Sequence, residues 1–251
     1  MITKTLKLFS TTAADDLSYL SLFDACRLSA EKNVRIIGGH MVQLLSDAFP
    51  TDFAFPRRTV DADAAIETEL AASGQMHQLF EAAGYQASSG NSYQKSGRSV
   101  DLLVSSMDGR FSTQILGDRA FDSSPGISSA LNTDPIAIQV EAALTTSEII
   151  EFEARVPSVE VAVLLKALVY KVRLANRDLL DLQNLLWIAK LHPSHEIGGW
   201  NLDQPRKGVR GDAQRALWQI QGSLKGLNSN FSKGIDPSQL SALISDLIAT
   251  P

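Results

Sequence analysis

A chain of 251 residues with a net charge of −5 can bury one large core or two modest ones, and its acidity argues against general coating of nucleic acid while permitting a local basic groove. The apolar fraction of 44% and charged fraction of 20% are those of an ordinary soluble protein, and no apolar run is long enough to cross a bilayer. The single cysteine, Cys26, excludes an intrachain disulfide framework and a cysteine-rich zinc site; on the apolar side of a predicted helix, it reads as a buried, inert thiol.

The N-terminal stretch Met1 to Phe9 is basic but lacks a long apolar segment with a small-residue cleavage site. It is not a secretory signal, and a cytoplasmic location is expected. Leu17, Leu20, Leu22, Phe23, Cys26 and Leu28 fall at spacings that predict an amphipathic helix over 13–31. Val34 to Ile37 is a short apolar strand running into Gly38-Gly39, with a helix from Met41 to Phe49. Glycines at a strand-to-helix turn let backbone amides approach a phosphate that a β-carbon would hold away.

Pro50 and Pro56 bracket a loop, and the following strand carries Arg57-Arg58-Thr59-Val60-Asp61-Ala62-Asp63. A helix is predicted over 67–83. Strand and turn signals from Gly84 to Arg98 make an antiparallel hairpin with the strand Ser99 to Val104, which holds Asp101. Asp108-Gly109 is a turn, 111–116 a possible strand, and 117–134 a polar connection of low information. Ile136 to Leu144 and Ile149 to Val156 read as a second hairpin, and Ser158 as the cap of a helix. Helices are then expected over 159–174, 178–191, 211–224 and 237–249, with a break near Asn176. The boundary lies close to Pro157, dividing an α+β unit, 1–156, from a helical unit, 157–251.

Alternating side chains put Asp61 and Asp63 on one face of their strand, where two carboxylates repel unless a cation, a proton or a cluster of donors intervenes. Pairing of the Asp101 strand with the first would bring a third carboxylate to the same spot. Three acids beside a glycine turn suggest magnesium and a nucleoside triphosphate. A calcium loop is excluded, because its glycine and closing glutamate are missing after Asp61. His192 and His195, separated by a proline and without acid partners, read as loop residues, and no Ser-His-Asp or Cys-His group is evident.

The succession Gly38-Gly39, helix, Arg57-x-Thr59-x-Asp61-x-Asp63 and a later Asp101 resembles the nucleotidyltransferase fold of the DNA polymerase β superfamily. Within it the chain is most similar to the AbiEii-like and minimal nucleotidyltransferase toxins, whose helical half carries a lysine followed by Arg/Lys-Asp-x-x-Asp-Leu. Here Lys166 and Arg177-Asp178-Leu-Leu-Asp181-Leu182 match that pattern. The resemblance implies a mixed sheet with flanking helices, two magnesium ions on Asp61, Asp63 and Asp101, and an NTP such as ATP as substrate. It further implies that Gly38, Gly39, His40, Arg57, Thr59 and Lys166 surround the nucleotide. His40 stands where the family usually has serine or threonine, and Arg177 and Asp178 are expected to fix a turn between helices. The implied reaction moves a nucleoside monophosphate to a hydroxyl of RNA, a protein or a small molecule. A toxin with an antitoxin partner, an aminoglycoside-type transferase and an inactive binding module are the forms such a chain can take.

Overall fold

The computed structural model describes residues 1–56, 58–224 and 234–251, so Arg57 lies outside the described residues. The fold class is the expected one, a mixed α+β arrangement followed by a helical C-terminal half. The principal sheet contains β2 (Arg35–Ile37), β3 (Asp61–Ala65), β4 (Gln86–Ala87), β5 (Ser92–Lys95) and β6 (Arg98–Ser105), in the order β2-β3-β6-β5-β4. β7 (Ser112–Leu116) and β8 (Arg119–Ser124) extend it, β8 running parallel to the end of β6. A smaller sheet, β1-β9-β10, is made of β1 (Ile2–Phe9), β9 (Ile136–Ala143) and β10 (Ile149–Val156).

Helices α1 (Ala13–Leu28), α2 (Gly38–Ala48), α3 (Thr68–Ala72), α4 (Gln75–Ala82) and α5 (Ile127–Asn132) flank the strands. The C-terminal half comprises α6 (Val159–Arg173), α7 (Asn176–Leu191), α8 (Gly208–Leu224) and α9 (Pro237–Leu247). No helix among the described residues is long and apolar enough to cross a membrane.

Local chemistry accounts for the helix starts. Thr12 and Asp15 close a capping box on α1, and Ser158 accepts from the Val161 amide at 3.3 Å to cap α6. Helix α2 instead begins on Gly38 with no side-chain cap, leaving its first amides for another partner. One cluster of buried apolar side chains runs through both halves, from Phe49 and Phe80 to Leu182 and Leu217.

The structure departs from the sequence expectations at four places. Met1 to Phe9 contributes a strand, pairing in parallel with β9 from Ile2↔Ile136 to Phe9↔Ala143. The acidic strand begins only at Asp61, so Thr59 precedes it. The helix expected over 67–83 is broken at Gly74, whose φ of 70° lies in the left-handed region. The polar connection 117–134 holds β8 and α5. The expected break near Asn176 is present: α6 ends at Arg173, its cap Leu174 adopts φ 49°, and α7 restarts at Asn176.

The 50–56 loop is tied to the helical half. Phe53 stacks on Trp187 of α7 at 4.2 Å between centroids. The buried Asn184 both accepts from the Phe55 amide at 3.0 Å and donates to its carbonyl at 2.8 Å. Phe53 and Phe55, upstream of Thr59 and Asp61, are thereby held against α7.

Candidate active site

Sheet register brings the acids together. β3 and β6 are parallel with Asp63 directly opposite Asp101, and Asp61 is two residues before Asp63 on the same face. One carboxylate oxygen from each of Asp61, Asp63 and Asp101 lies within 4.8 Å of the others, Asp61 being exposed and the other two half-buried.

The glycine pair is what lets the acids sit there. β2 runs antiparallel to β3 with Ile37 opposite Asp63, so the chain turns into α2 beside the carboxylates. A Cβ on Gly38, at φ 66°, would lie 1.9 Å from Asp63 Oδ2. A Cβ on Gly39 would meet the Thr59 side chain at 2.8 Å. Thr59 Oγ1 in turn donates to Asp61 Oδ1 at 3.0 Å, fixing the first acid. Two glycines, one threonine and two acids thus interlock.

The three carboxyls titrate differently. Burial, reinforced by the charges of Asp61 and Asp101, pushes Asp63 up to about 7 against the opposing pull of Lys166 and Arg173. Burial, with Asp61 and Asp122, also raises Asp101, although Ser92 donates to it. Burial alone would raise Asp61, but its own backbone amide, the Thr59 hydroxyl and the charges of His40 and Arg177 outweigh it and leave the carboxyl below its ordinary value. Three carboxyls that share negative charge in a partly desolvated notch could hold a metal ion, and their hard oxygen donors are of the kind magnesium takes.

The acids form one wall of a pocket of about 570 Å³ whose other wall is the α6–α7 corner. Gly38, Gly39 and Thr59 line it with the acids, as do Lys166, Arg173, Arg177 and Asp178 from the helices. His40 does not line it: its ring is buried, with Nε2 2.9 Å from Ser18 Oγ on α1. Lys166 lines the pocket but is only 6% exposed and does not snorkel to water, its ammonium lying 2.7 Å from Asp181 Oδ2 and 3.7 Å from Asp178 Oδ1.

The sequence assigns no nucleotide contact to two residues that the pocket contains. Arg173 and Arg177 line the pocket opposite the acids, are exposed, and have no ion pair or hydrogen bond among the described residues. The charge cluster containing them was visible in the sequence as Lys166, Lys171, Arg173 and Arg177. Nothing in that cluster told the engaged cation from the available ones.

No family model matches this chain, and no curated protein matches it. A solved structure of the antibiotic-resistance factor ANT(2'')-Ia is similar over 84% of this chain and 97% of that one, at 11% identity and a TM-score of 0.42. The geometry of the pocket, not this likeness, bears on function.

Proposed function

We propose that the protein is a magnesium-dependent nucleotidyltransferase that moves a nucleoside monophosphate from an NTP to a hydroxyl acceptor. The observation that carries this reading is the triad of Asp61, Asp63 and Asp101, with ligand oxygens within 4.8 Å, packed against a glycine turn that has no room for a side chain. In this reading the α+β unit, 1–156, supplies the acids and the helical unit, 157–251, supplies the cations.

In the transfer, an acceptor hydroxyl oxygen forms a bond to the α-phosphorus, the bond from that phosphorus to the bridging oxygen breaks, and pyrophosphate leaves. Two magnesium ions on Asp61, Asp63 and Asp101 would supply the positive charge that stabilises the entering and leaving oxygens. Asp101, half-buried beside the other two acids, would accept the proton of the attacking hydroxyl. Thr59 holds Asp61 in place through its hydroxyl. The uncapped amides of Gly38 and Gly39 at the start of α2 face an anion favourably.

Arg173 and Arg177 hold the triphosphate, because Lys166 is already neutralised by Asp178 and Asp181. This moves the phosphate role from the lysine expected in the sequence to the two arginines at the corner. His40, which stands where the family usually has a serine or threonine, packs on Ser18 and supplies no phosphate contact, so an inactive binding module stays the rival reading that the labelling experiment decides.

Incubation with magnesium and each α-labelled NTP, alone and with total RNA, protein extract or an aminoglycoside, tests the proposal. Label transfer and pyrophosphate release are expected with one acceptor class, reduced at least 10³-fold in Asp63→Asn. Nucleotide binding without turnover under every acceptor would overturn it.

A further inference from the structure

Strand order gives the pocket a direction. The glycine turn follows β2, Asp61 and Asp63 stand on β3, Asp101 stands on β6, and β8 lies along the edge of β6 that faces away from β3. The glycine turn and β8 are therefore on opposite sides of the acids. Displacement at phosphorus sets the entering oxygen in line with the leaving one, so those two groups need opposite sides as well. With the triphosphate on the glycine turn and the α6–α7 arginines, pyrophosphate leaves toward β2 and the acceptor enters past Asp101 from the side of β8.

That side has its own chemistry. β8 is in register with β6 at Ser105↔Ser124, and Asp122, two residues before Ser124, lines the pocket with it. Thr113 of β7 stands opposite Asp122 and donates its hydroxyl to Asp122 Oδ1 at 3.1 Å. Asp122 is exposed, has no ion pair among the described residues, and acts by its charge on Asp101. Phe111, also exposed, lines the pocket just before Ser112 and Thr113. No cation of β7 or β8 lines it. Arg119 is engaged elsewhere, donating to the carbonyls of Gly90 at 2.9 Å and Ser89 at 3.2 Å.

An acceptor arriving here meets a carboxylate, an aromatic ring and hydroxyls, while Lys166, Arg173 and Arg177 are all on the helical side. A carboxylate and a ring face both attract an ammonium group, the one by its charge and the other by its quadrupole. The phosphodiester chain of RNA meets Asp122 as a like charge and finds no counter-ion on this side.

We propose that the acceptor is a small hydroxyl compound carrying an ammonium group, which Asp122 and the Phe111 ring hold with its hydroxyl toward Asp101. The proposal rests on the nucleotidyltransferase reading of the pocket and narrows its acceptor to a cationic small molecule. In the transfer the hydroxyl oxygen bonds to the α-phosphorus, its proton passes to Asp101, pyrophosphate leaves, and the ammonium group keeps its own proton. Asp122 is a specificity-determining residue, outside the three acids whose oxygens lie within 4.8 Å of one another.

The test is steady-state transfer from α-labelled NTPs, with magnesium, to amino sugars, aminoglycosides and amino alcohols, each beside its N-acetylated form, and to total RNA and protein extract. Acetylation removes the charge and keeps the hydroxyls. The wild type is expected to label at least one free amine compound, and acetylation to lower kcat/KM about 10-fold or more. Asp122→Asn should lower kcat/KM for the free amine by a similar factor, mainly through KM, and bring it level with the acetylated form. NTP affinity in that variant should change less than about threefold, because the phosphates lie across the acids from Asp122. Phe111→Leu should cost about threefold in KM for the amine. Thermal melting monitors folding, and if Asp122→Asn does not fold, Phe111→Leu decides. Label passing only to RNA or protein, a wild type indifferent to acetylation, or an unchanged preference in the deciding variant overturns the inference and leaves the transferase reading standing. Absence of transfer to every acceptor overturns both.

Discussion

The two walls of the pocket are built on different physical terms. On the sheet wall, the acids are aligned by backbone hydrogen bonds: parallel register sets Asp63 opposite Asp101, and the pleat returns Asp61 to the same face. On the helical wall, alignment depends on side chains, and charge is divided between an internal cluster, Lys166 with Asp178 and Asp181, and two available arginines. Like charges are gathered on the first wall and opposite charges are cancelled within the second. An excess of one sign that packing maintains, rather than relieves, is what the proposed metal site would draw on.

The largest stability effect is expected where the helical wall is self-neutralised. Lys166→Met leaves the buried carboxylates of Asp178 and Asp181 without their ammonium, and a cost of about 3–5 kcal/mol is expected in urea unfolding. If Lys166 served only as a phosphate ligand, the metal-free, nucleotide-free protein would lose almost nothing. On the sheet wall the corresponding weak point is steric. Gly38→Ala would drive a methyl into Asp63 Oδ2, whereas Gly74→Ala has nothing within 4 Å at nearly the same backbone angle, φ 70° against 66°. Both variants are expected to lose about 1 kcal/mol to backbone strain. Only Gly38→Ala should also lose transferase activity, by about 100-fold or more, because Asp63 must move.

The sheet wall was the more legible of the two in the sequence, for reasons that lie in particular residues. Val34 to Ile37 and Val100 to Val104 are apolar enough to read as buried strands, and an Asp on such a strand is conspicuous. Period-2 alternation did the rest for Asp61 and Asp63. What could not be read was long-range. β1 alternates exposed polar residues with partly buried ones, Thr3 and Thr5 between Ile2, Lys4 and Leu6, and its partner β9 lies far along the chain. β8 and α5 are short, in a polar stretch with weak periodicity. The role of Gly38 was legible only as a phosphate turn; its closeness to Asp63 is a tertiary fact. Arg173 and Lys166 look alike in sequence, and only packing separates the exposed guanidinium from the buried ammonium.

A smaller effect comes from the strain among the acids. Asp63 is raised from an ordinary 3.8 to about 7 in the folded protein. A carboxyl raised on folding contributes stability that is complete below its unfolded value and is lost as pH climbs through the folded one, a window of about pH 4 to 7. In EDTA, the wild type is therefore expected to lose stability relative to Asp63→Asn as pH rises from 5.5 to 8.5, by on the order of 1–2 kcal/mol. Magnesium added at pH 8 should restore the wild type and leave Asp63→Asn almost unmoved. A wild type and variant that melt in parallel across that range, with or without magnesium, would show that the acids are not held in a shared, uncompensated site.

The smallest effect on stability, and the sharpest contrast with Lys166, is expected at Arg173 and Arg177. Both are exposed and have no acid partner among the described residues, so truncating either to alanine removes no ion pair or hydrogen bond and should change stability by less than about 0.5 kcal/mol. Their charges already act across the pocket, Arg177 on Asp61 and Arg173 on Asp63. Loss of either should weaken NTP binding about tenfold, with a nucleoside monophosphate affected less because it presents fewer charged oxygens. Arg177→Lys should recover only part of the loss, since an ammonium is a point charge and cannot hold two phosphate oxygens in a planar fork. Isothermal titration at two salt concentrations would separate the cases: the wild type should lose affinity more steeply with salt than either alanine variant. Equal salt slopes would mean that the corner carries only a solvated charge, and the phosphates would have to be sought at the start of α2.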